Sequence, residues 1–211
     1  MGSAADTTGR LLEAYGTTWA EEAGITVSDK PSPLFRLLCL SLLLSARISS
    51  ELGVRAARAL ADQGWNTPAK LLDSTWAQRA KLLNESGYAR FDERTSRMLA
   101  DTTALVVERW RGDVRRLREE AGRDPATERM LLKGCKGIGD VGVDIFFREV
   151  QGVWPEVRPA LDDRAMRAAR RLGLGDDPRR VGYRVEGPEL PRLASALVRV
   201  DLDDGYERLA G

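Results

Sequence analysis

The chain has 211 residues, and its 33 lysines and arginines are almost balanced by 32 aspartates and glutamates. This length is enough for a full core, in one large or two small domains, and a net charge of +1 excludes a chain that is basic throughout. Two cysteines exclude a disulfide framework, and the N-terminus MGSAADTTGR lacks the apolar segment of a secretory signal. We therefore expect a cytoplasmic protein with no membrane partner.

Helical periodicity and strong helix formers run through nearly the whole chain, and no stretch alternates as a half-buried strand would. Thr67-Pro68 and Asp124-Pro125 each place a capping side chain before a proline at the first helical position. These signals predict an all-α fold. The predicted helices cover residues 7–23, 33–46, 49–63, 67–73, 75–85, 91–110, 112–121, 125–133, 139–150, 162–172 and 188–200.

The most informative segment is LLKGCKGIGDVGVDIFFREV, residues 131–150, which predicts a helix, a tight glycine hairpin and a second helix. Gly137 and Gly139 flank Ile138, and a hairpin of this type needs a positive φ and a backbone approach that a Cβ would block. The exposed N–H groups at the start of the second helix form an anion site. A DNA phosphate would fit there without any contact to a base.

A second motif, ALDDRAMRAARRLGL at residues 160–174, predicts an arginine-rich helix with Asp162 at its N-terminus. A carboxylate at that position can be both a helix cap and a catalyst. Asp163 is the rival for a catalytic role. The alternative for Asp162 is a helix cap alone, and the alternative for the two hairpin glycines is an ordinary helix–helix turn.

In this order, and with PLFRLLCLSLLLSARIS (residues 33–49) upstream, the motifs resemble the helix-hairpin-helix DNA glycosylase superfamily, which includes endonuclease III. The family hairpin L-P-G-V-G corresponds to residues 135–139. Its D-x-x-x-x-R helix, which ends in an arginine before L-G-L, corresponds to Asp162, Arg167 and residues 171–174. The catalytic aspartate of the family therefore corresponds to Asp162.

The resemblance implies a two-lobed, all-α DNA glycosylase fold. Residues 31–157 would form a six-helix barrel that includes the helix-hairpin-helix motif, with the hairpin at residues 134–140. Residues 1–30 and 158–211 would form a second helical lobe. The extruded nucleotide would enter the cleft between the lobes, next to Asp162.

The implied activity is base excision on double-stranded DNA that contains a damaged or mismatched base. Asp162 would stabilise positive charge on the sugar and orient or deprotonate an attacking water. Bifunctional members carry a lysine two residues after the second hairpin glycine, where this chain has Val141. We therefore expect a monofunctional glycosylase that leaves an abasic site. The alternatives are a non-catalytic DNA-binding module and a bifunctional glycosylase/lyase with a relocated lysine.

Cofactor expectations also follow from the resemblance. Many members hold an iron–sulfur cluster with four C-terminal cysteines, whereas this chain has only Cys39 and Cys135, so we expect no cluster and no other cofactor. In family members, backbone carbonyls of the hairpin coordinate a monovalent cation. The resemblance implies that the carbonyls of Lys133, Cys135 and Ile138 would bind Na⁺ or K⁺ here. We expect a monomer in the bacterial cytoplasm, associated with the nucleoid when bound to DNA.

Two side chains are expected to fill the duplex beside the lesion. Arg47 replaces a family glutamine that occupies the space left by the flipped base, and Tyr88 lies on a glycine loop that inserts beside it. The alternative for Tyr88 is packing against the next helix. The expected DNA-binding residues are Arg47, Tyr88, Lys136, Gly137, Ile138, Gly139, Val141, Gly142, Arg164 and Arg167.

Overall fold

The computed structural model describes residues 4–46, 48–88 and 92–209. Within these residues the chain forms thirteen α-helices and no strand, so the all-α prediction is confirmed. None of the helices in these ranges has the length and hydropathy needed to cross a bilayer. The helices are Ala4–Tyr15 (α1), Trp19–Glu22 (α2), Pro31–Leu44 (α3), Ser50–Asp62 (α4), Pro68–Leu72 (α5), Trp76–Leu83 (α6), Asp92–Trp110 (α7), Arg115–Glu120 (α8), Pro125–Lys133 (α9), Asp140–Val150 (α10), Asp163–Arg171 (α11), Pro178–Gly182 (α12) and Leu190–Leu202 (α13).

Helix starts agree with the prediction where a capping side chain is present. Asp124 accepts a hydrogen bond from the backbone N–H of Thr127 at 2.8 Å, at the start of α9. Thr75 and Gln78 form a reciprocal capping box at the start of α6, with distances of 2.8 and 3.2 Å. Each cap satisfies backbone donors that have no partner inside the helix.

The single helix predicted over residues 7–23 is wrong, because two helices occupy this segment. Thr18 and Glu21 exchange side-chain hydrogen bonds with each other's backbone N–H groups, at 3.1 and 2.8 Å, which starts α2 with its own capping box. Gly16 lies in the break, where a Cβ would approach the carbonyl oxygen of Leu12 to 2.2 Å.

Helix α12 was not predicted. Its cap is Asp177, whose side chain accepts a hydrogen bond from the backbone N–H of Arg179 at 2.9 Å, and Pro178 follows at the first helical position. This is the same signal as Asp124-Pro125. A helix of five residues is too short to show the periodicity on which the prediction depended.

The chain divides into two compact units. One comprises residues 22–146, apart from the undescribed positions, and the other joins the described part of residues 1–21 to residues 147–209. The lobes expected from the sequence had boundaries at residues 31 and 157. Their role as two lobes that receive a nucleotide stays a prediction.

Each unit is organised around one strongly buried helix. In the unit of residues 22–146 this is α3, where Leu34, Leu37 and Leu40 are fully buried, so the apolar run of the sequence is a core helix. In the other unit it is α13, which packs against α1 and α11 and buries Leu193 and Leu197. Because α11 rests on this core, the residue before it, Asp162, has a defined position.

Candidate functional site

The glycine hairpin links α9 to α10, and its two glycines differ. Gly137 has a φ of +89°, and a Cβ there would lie 2.9 Å from the sulfur of Met98 and 3.4 Å from Cγ of Leu42. Gly139 is outside the left-handed region, and a Cβ there would meet nothing within 4 Å. The positive φ and the blocked Cβ expected of the hairpin are therefore found at Gly137, whereas the backbone at Gly139 faces open space.

Contacts on the inner side hold the hairpin in place. Ile138 is buried, and its N–H donates to the carbonyl of Cys135 at 3.0 Å. Thr102 on α7 donates from its hydroxyl to the carbonyl of Lys136 at 2.9 Å. Gly142 allows α10 to approach the end of α3, because a Cβ there would lie 2.6 Å from Oγ of Ser45. The outer side, which includes Gly139, is left accessible.

Acidic residues next to the hairpin are paired with basic ones. The carboxylate of Asp140 lies 2.9 Å from Nζ of Lys133, and Asp144 lies 2.5 Å from Nη2 of Arg129. The hydrogen bond from Lys133 lowers the pKa of Asp140 below its ordinary value. Lys136 is exposed and forms no ion pair within the described residues. Its charge is therefore available to an anion at the hairpin.

A cavity of about 540 Å³ opens beside the hairpin, within the unit of residues 22–146. Leu42, Met98 and Ile138 give it apolar walls, and Arg94 and Lys136 add positive charge. Its volume lies within the range of about 300–1,000 Å³ that is usual for small-molecule sites. The lining combines surfaces that can contact a flat ring with charges that can contact a phosphate.

Tyr88 is a core residue, which corrects the expectation that it is a duplex wedge. Its side chain is 1% exposed, and its hydroxyl donates to the carbonyl of Leu43 at 2.7 Å. Burial also raises its pKa to about 12. Insertion between base pairs would require the ring to leave the core, so the structure favours the packing alternative. The second expected wedge, Arg47, lies outside the described residues.

Asp162 caps α11 and also forms an ion pair. Its Oδ1 accepts a hydrogen bond from the backbone N–H of Ala165 at 2.8 Å, and its Oδ2 accepts one from the guanidinium of Arg148. The side chains of Asp162 and Arg148 are only 16% and 8% exposed. Asp163, the rival residue, is exposed in the first turn of α11. The pairing distinguishes Asp162 from an ordinary surface cap.

A buried amide fixes the chain segment that leads to Asp162. Nε2 of Gln151 donates to the carbonyls of Arg148 and Ala160, at 3.0 and 3.2 Å, and its Oε1 accepts from the N–H of Ala160 at 2.8 Å. Gln151 thereby satisfies both backbone groups of Ala160, two residues before Asp162. The end of α10 and the residue after it therefore hold this segment by a side-chain ion pair from Arg148 and by hydrogen bonds from the side-chain amide of Gln151 to the backbone.

Two solved structures resemble this chain over most of its length. One is a trapped endonuclease III–DNA covalent intermediate, an estranged-adenine complex, with a TM-score of 0.52 and 16% identity over 95% of this chain and 86% of its own. The other is a non-covalent endonuclease III–DNA complex, with a TM-score of 0.53 and the same identity and coverage. The chain has the endonuclease III fold. No model of a known protein family and no curated protein matches the sequence.

Within the endonuclease III fold, the arginines of α11 are held by acidic residues of this chain. Asp201 accepts hydrogen bonds from Arg164 at 3.2 Å, from Arg167 at 2.7 Å and from the hydroxyl of Tyr206 at 2.8 Å. The bonds from Arg167 contribute most to lowering the pKa of Asp201. Arg164 and Arg167, which were expected to contact DNA, are still about half exposed but already have carboxylate partners.

The sequence prediction missed Arg148, Gln151 and Asp201. A signal for the first was present, because Arg148 and Glu149 interrupt the apolar segment IFFREVQGVW. Charged residues in such a segment are buried only when they are paired. The identity of their partners depends on tertiary contacts, which sequence spacing does not contain.

Glu149 lies next to Arg148 and is directed at the first turn of α2. Its two carboxylate oxygens accept hydrogen bonds from the backbone N–H groups of Trp19 and Ala20, at 3.2 and 3.3 Å. Burial raises the pKa of Glu149 from 4.5 to about 7, and the charge of Arg148 opposes this increase. The folded protein therefore favours the protonated form of Glu149 more strongly than the unfolded chain does.

We predict that Glu149→Gln gains stability relative to wild type as the pH rises. An acid whose pKa is raised in the folded state lowers the free energy of unfolding as the pH rises from its unfolded pKa of 4.5 to its folded pKa of about 7. At pH 8 this loss of stability is of the order of 3 kcal/mol, and the neutral amide of glutamine does not incur it. Denaturant unfolding at pH 5 and pH 8 measures the difference. Glu207→Gln, at an exposed carboxylate, is the control, and an equal effect of both substitutions would contradict the prediction.

Proposed function

We propose that the protein is a monofunctional DNA glycosylase of base excision repair. It hydrolyses the N-glycosidic bond of a flipped damaged or mismatched base in double-stranded DNA and leaves an abasic site. The observation that carries the proposal is the shielded, doubly held carboxylate of Asp162 at the start of α11, in a chain with the endonuclease III fold. Both similar structures contain DNA, which supports DNA as the partner. The protein would act as a monomer in the bacterial cytoplasm.

DNA binding would use the outer side of the hairpin. The N-terminus of α10 presents backbone N–H groups, and open space beside Gly139 allows a phosphate to approach them. Lys136 adds a positive charge, and Lys133 and Arg129 offset the acids of α10. Such contacts position a duplex without reading its sequence.

A monovalent cation at the hairpin remains part of the proposal. The carbonyl of Cys135 accepts one hydrogen bond, from Ile138, and a carbonyl oxygen has a second lone pair. That lone pair, with the carbonyls of Lys133 and Ile138, suits a hard ion such as Na⁺ or K⁺. The ion would supply positive charge for a DNA phosphate. We propose no iron–sulfur cluster, because two buried cysteines do not supply four thiolate ligands.

Asp162 would act on the sugar and on water. Each of its oxygens accepts one hydrogen bond, which leaves one lone pair on each for further contacts. The carboxylate would stabilise positive charge on the sugar as the bond between C1′ and the base breaks. It would also accept the proton of the water whose oxygen bonds to C1′. The bond electrons leave with the base, which takes up a proton.

The absence of a lysine at position 141 is the reason for proposing hydrolysis without strand cleavage. Val141 is 61% exposed in the first turn of α10, and an alkyl side chain cannot form a Schiff base with C1′. One alternative is a bifunctional glycosylase/lyase that uses a lysine at another position to form the Schiff base. A non-catalytic DNA-binding module is the other alternative, because both oxygens of Asp162 already have structural partners.

The proposed function predicts base release that depends on Asp162. A panel of duplexes, each with one damaged or mismatched base, is incubated with wild type and with Asp162→Asn. We expect wild type to yield strand breaks only after alkali. Asp162→Asn should be slower by roughly 100-fold or more, because a neutral amide stabilises positive charge poorly and cannot accept a proton. DNA affinity, measured by fluorescence anisotropy, should stay close to that of wild type.

Asp163→Asn is the matched control, since it removes a carboxylate from the same turn. Loss of activity in Asp163→Asn alone would assign catalysis to Asp163 and reject the role of Asp162. Covalent trapping of wild type on DNA by borohydride would reject the monofunctional mechanism. Wild type that binds the duplexes but releases no base from any of them would favour the non-catalytic module.

The hairpin proposal predicts that Gly139→Ala weakens DNA binding while the fold is retained. The new Cβ meets no protein atom within 4 Å, so the cost to stability should be limited to the replacement of a favourable N-cap glycine, about 0.5–1 kcal/mol. It would occupy the approach of the phosphate. Loss of one hydrogen bond to a charged group costs about 1.5–3 kcal/mol, equivalent to a loss in affinity of about tenfold or more.

Anisotropy titrations with lesion-containing and undamaged duplexes measure this loss, which should be the same for both because phosphate contacts carry no sequence information. Gly9→Ala is the control, since this glycine also has open space around its Cβ position and no assigned DNA contact. Wild-type affinity in Gly139→Ala would remove the outer side of the hairpin from the DNA interface.

The ion pairs of α11 predict that Asp201→Asn strengthens DNA binding. Arg164 and Arg167 would then contact phosphates without first breaking a pair with Asp201. Ion pairs with half-exposed arginines contribute about 0.2–1 kcal/mol each, so the release of two pairs should raise affinity at low salt by about two- to thirtyfold. Asp203→Asn removes the same charge two residues away, at an exposed position. An equal increase in both variants would show that only net charge matters.

A further inference from the structure

We propose that Arg148 is a positioning residue for the carboxylate of Asp162, a role that rests on the proposed glycosylase function. Arg148 would hold Oδ2 in one orientation while the sugar and the attacking water approach Asp162. The sequence does not assign this role, because Arg148 is fourteen residues away from Asp162 and belongs to another helix.

The ion pair restricts a rotation that the helix cap leaves open. The N–H of Ala165 holds Oδ1 at 2.8 Å, and this bond alone satisfies the capping requirement of α11. The guanidinium of Arg148 holds the other oxygen, so the plane of the carboxylate is set by two donors on two different helices. A fixed plane also fixes the directions of the two remaining lone pairs.

Arg148 is itself held on several sides. Its guanidinium lies over the ring of Trp19, 5.1 Å from the ring centre, and its side chain is 8% exposed. Its backbone carbonyl accepts a hydrogen bond from Gln151, which also binds Ala160. The donor Arg148 and the segment that carries the acceptor Asp162 are thus both held by Gln151, the residue after α10. A reacting group whose support is this rigid keeps its geometry when substrate binds.

Stability alone does not account for this arrangement. A shielded ion pair is costly to desolvate, and apolar residues of similar size often give equal or better stability. The pair instead keeps one charged acceptor in a defined orientation, as transition-state stabilisation requires. If Arg148 only masked Asp162, its removal would accelerate base release, whereas a positioning role predicts slower release. The sign of the rate change therefore separates the two roles.

The test uses the full-length protein and the lesion duplex that wild type processes best. Single-turnover base release and DNA affinity are measured for wild type, Arg148→Met, Arg148→Lys and Arg199→Met. We expect Arg148→Met to release base about 100-fold more slowly, the loss that a displacement of about 1 Å can cause, with DNA affinity within about twofold of wild type. Arg148→Lys should recover part of the rate, because it keeps the charge but not the planar geometry.

Arg199→Met is the matched control, since Arg199 also lies over the ring of Trp19, 4.3 Å from its centre. This variant should leave the rate unchanged. An unchanged or increased rate in a folded Arg148→Met protein overturns the proposal and leaves the glycosylase function intact. If Arg148→Met has no cooperative melting transition, Arg148→Lys decides, and a wild-type rate there overturns the proposal. If wild type releases no base from any duplex, both the positioning role of Arg148 and the proposed glycosylase function are overturned.

Discussion

The organisation around Asp162 depends on one constraint: a charge that is largely removed from water needs a partner. The last turn of α10 places Arg148 and Glu149 next to each other in a mostly apolar environment, and the two side chains have different partners. Arg148 pairs with Asp162 and lies over Trp19, while Glu149 binds the first N–H groups of α2. One pair of adjacent charges thus fixes the start of α2 and the residue before α11.

The same constraint explains why Asp162 differs from its neighbour Asp163. Both are short acids at the start of a helix, where the helix dipole favours negative charge. Only Asp162 has a guanidinium on its second oxygen, and that guanidinium is itself shielded and held. A carboxylate with restricted rotation and little solvent around it is better suited to stabilising charge on a substrate than one that water surrounds.

The sequence predicted most of the helices, because their limits are encoded locally by caps such as Asp124 and Thr75. It failed where two local signals competed. The apolar pattern across residues 7–23 favoured one helix, although Thr18 and Glu21 carry a capping box that starts a second. Gly137 was predicted correctly because its positive φ is a local property, whereas the open surroundings of Gly139 depend on the absence of tertiary neighbours.

The difference between local signals and tertiary contacts also applies to the candidate site. A motif indicated Asp162, but its partner Arg148 is set by how two helices pack, and spacing along the chain does not contain that information. Tyr88 shows the opposite error. Its position on a glycine loop favoured an exposed wedge, yet its ring is large and apolar, and its hydroxyl has a carbonyl partner within the core. Burial of an aromatic side chain with a satisfied polar group outweighed the local loop signal.

Internal ion pairing also bears on how the DNA binding proposed above can coexist with a net charge of +1. Along α11 and beside the hairpin, Arg129, Lys133, Arg167 and Arg171 are paired with Asp144, Asp140, Asp201 and Asp204, while Lys136 stays unpaired within the described residues. A phosphate that contacts the paired residues must replace a carboxylate. Because at least one member of each pair is about one third exposed or more, each exchange costs less energy than breaking a fully buried pair. Binding would then depend on several simultaneous exchanges, which a continuous duplex backbone can make and a single free phosphate cannot. The balanced composition is therefore compatible with DNA binding that is selective for an extended polyanion and sensitive to salt.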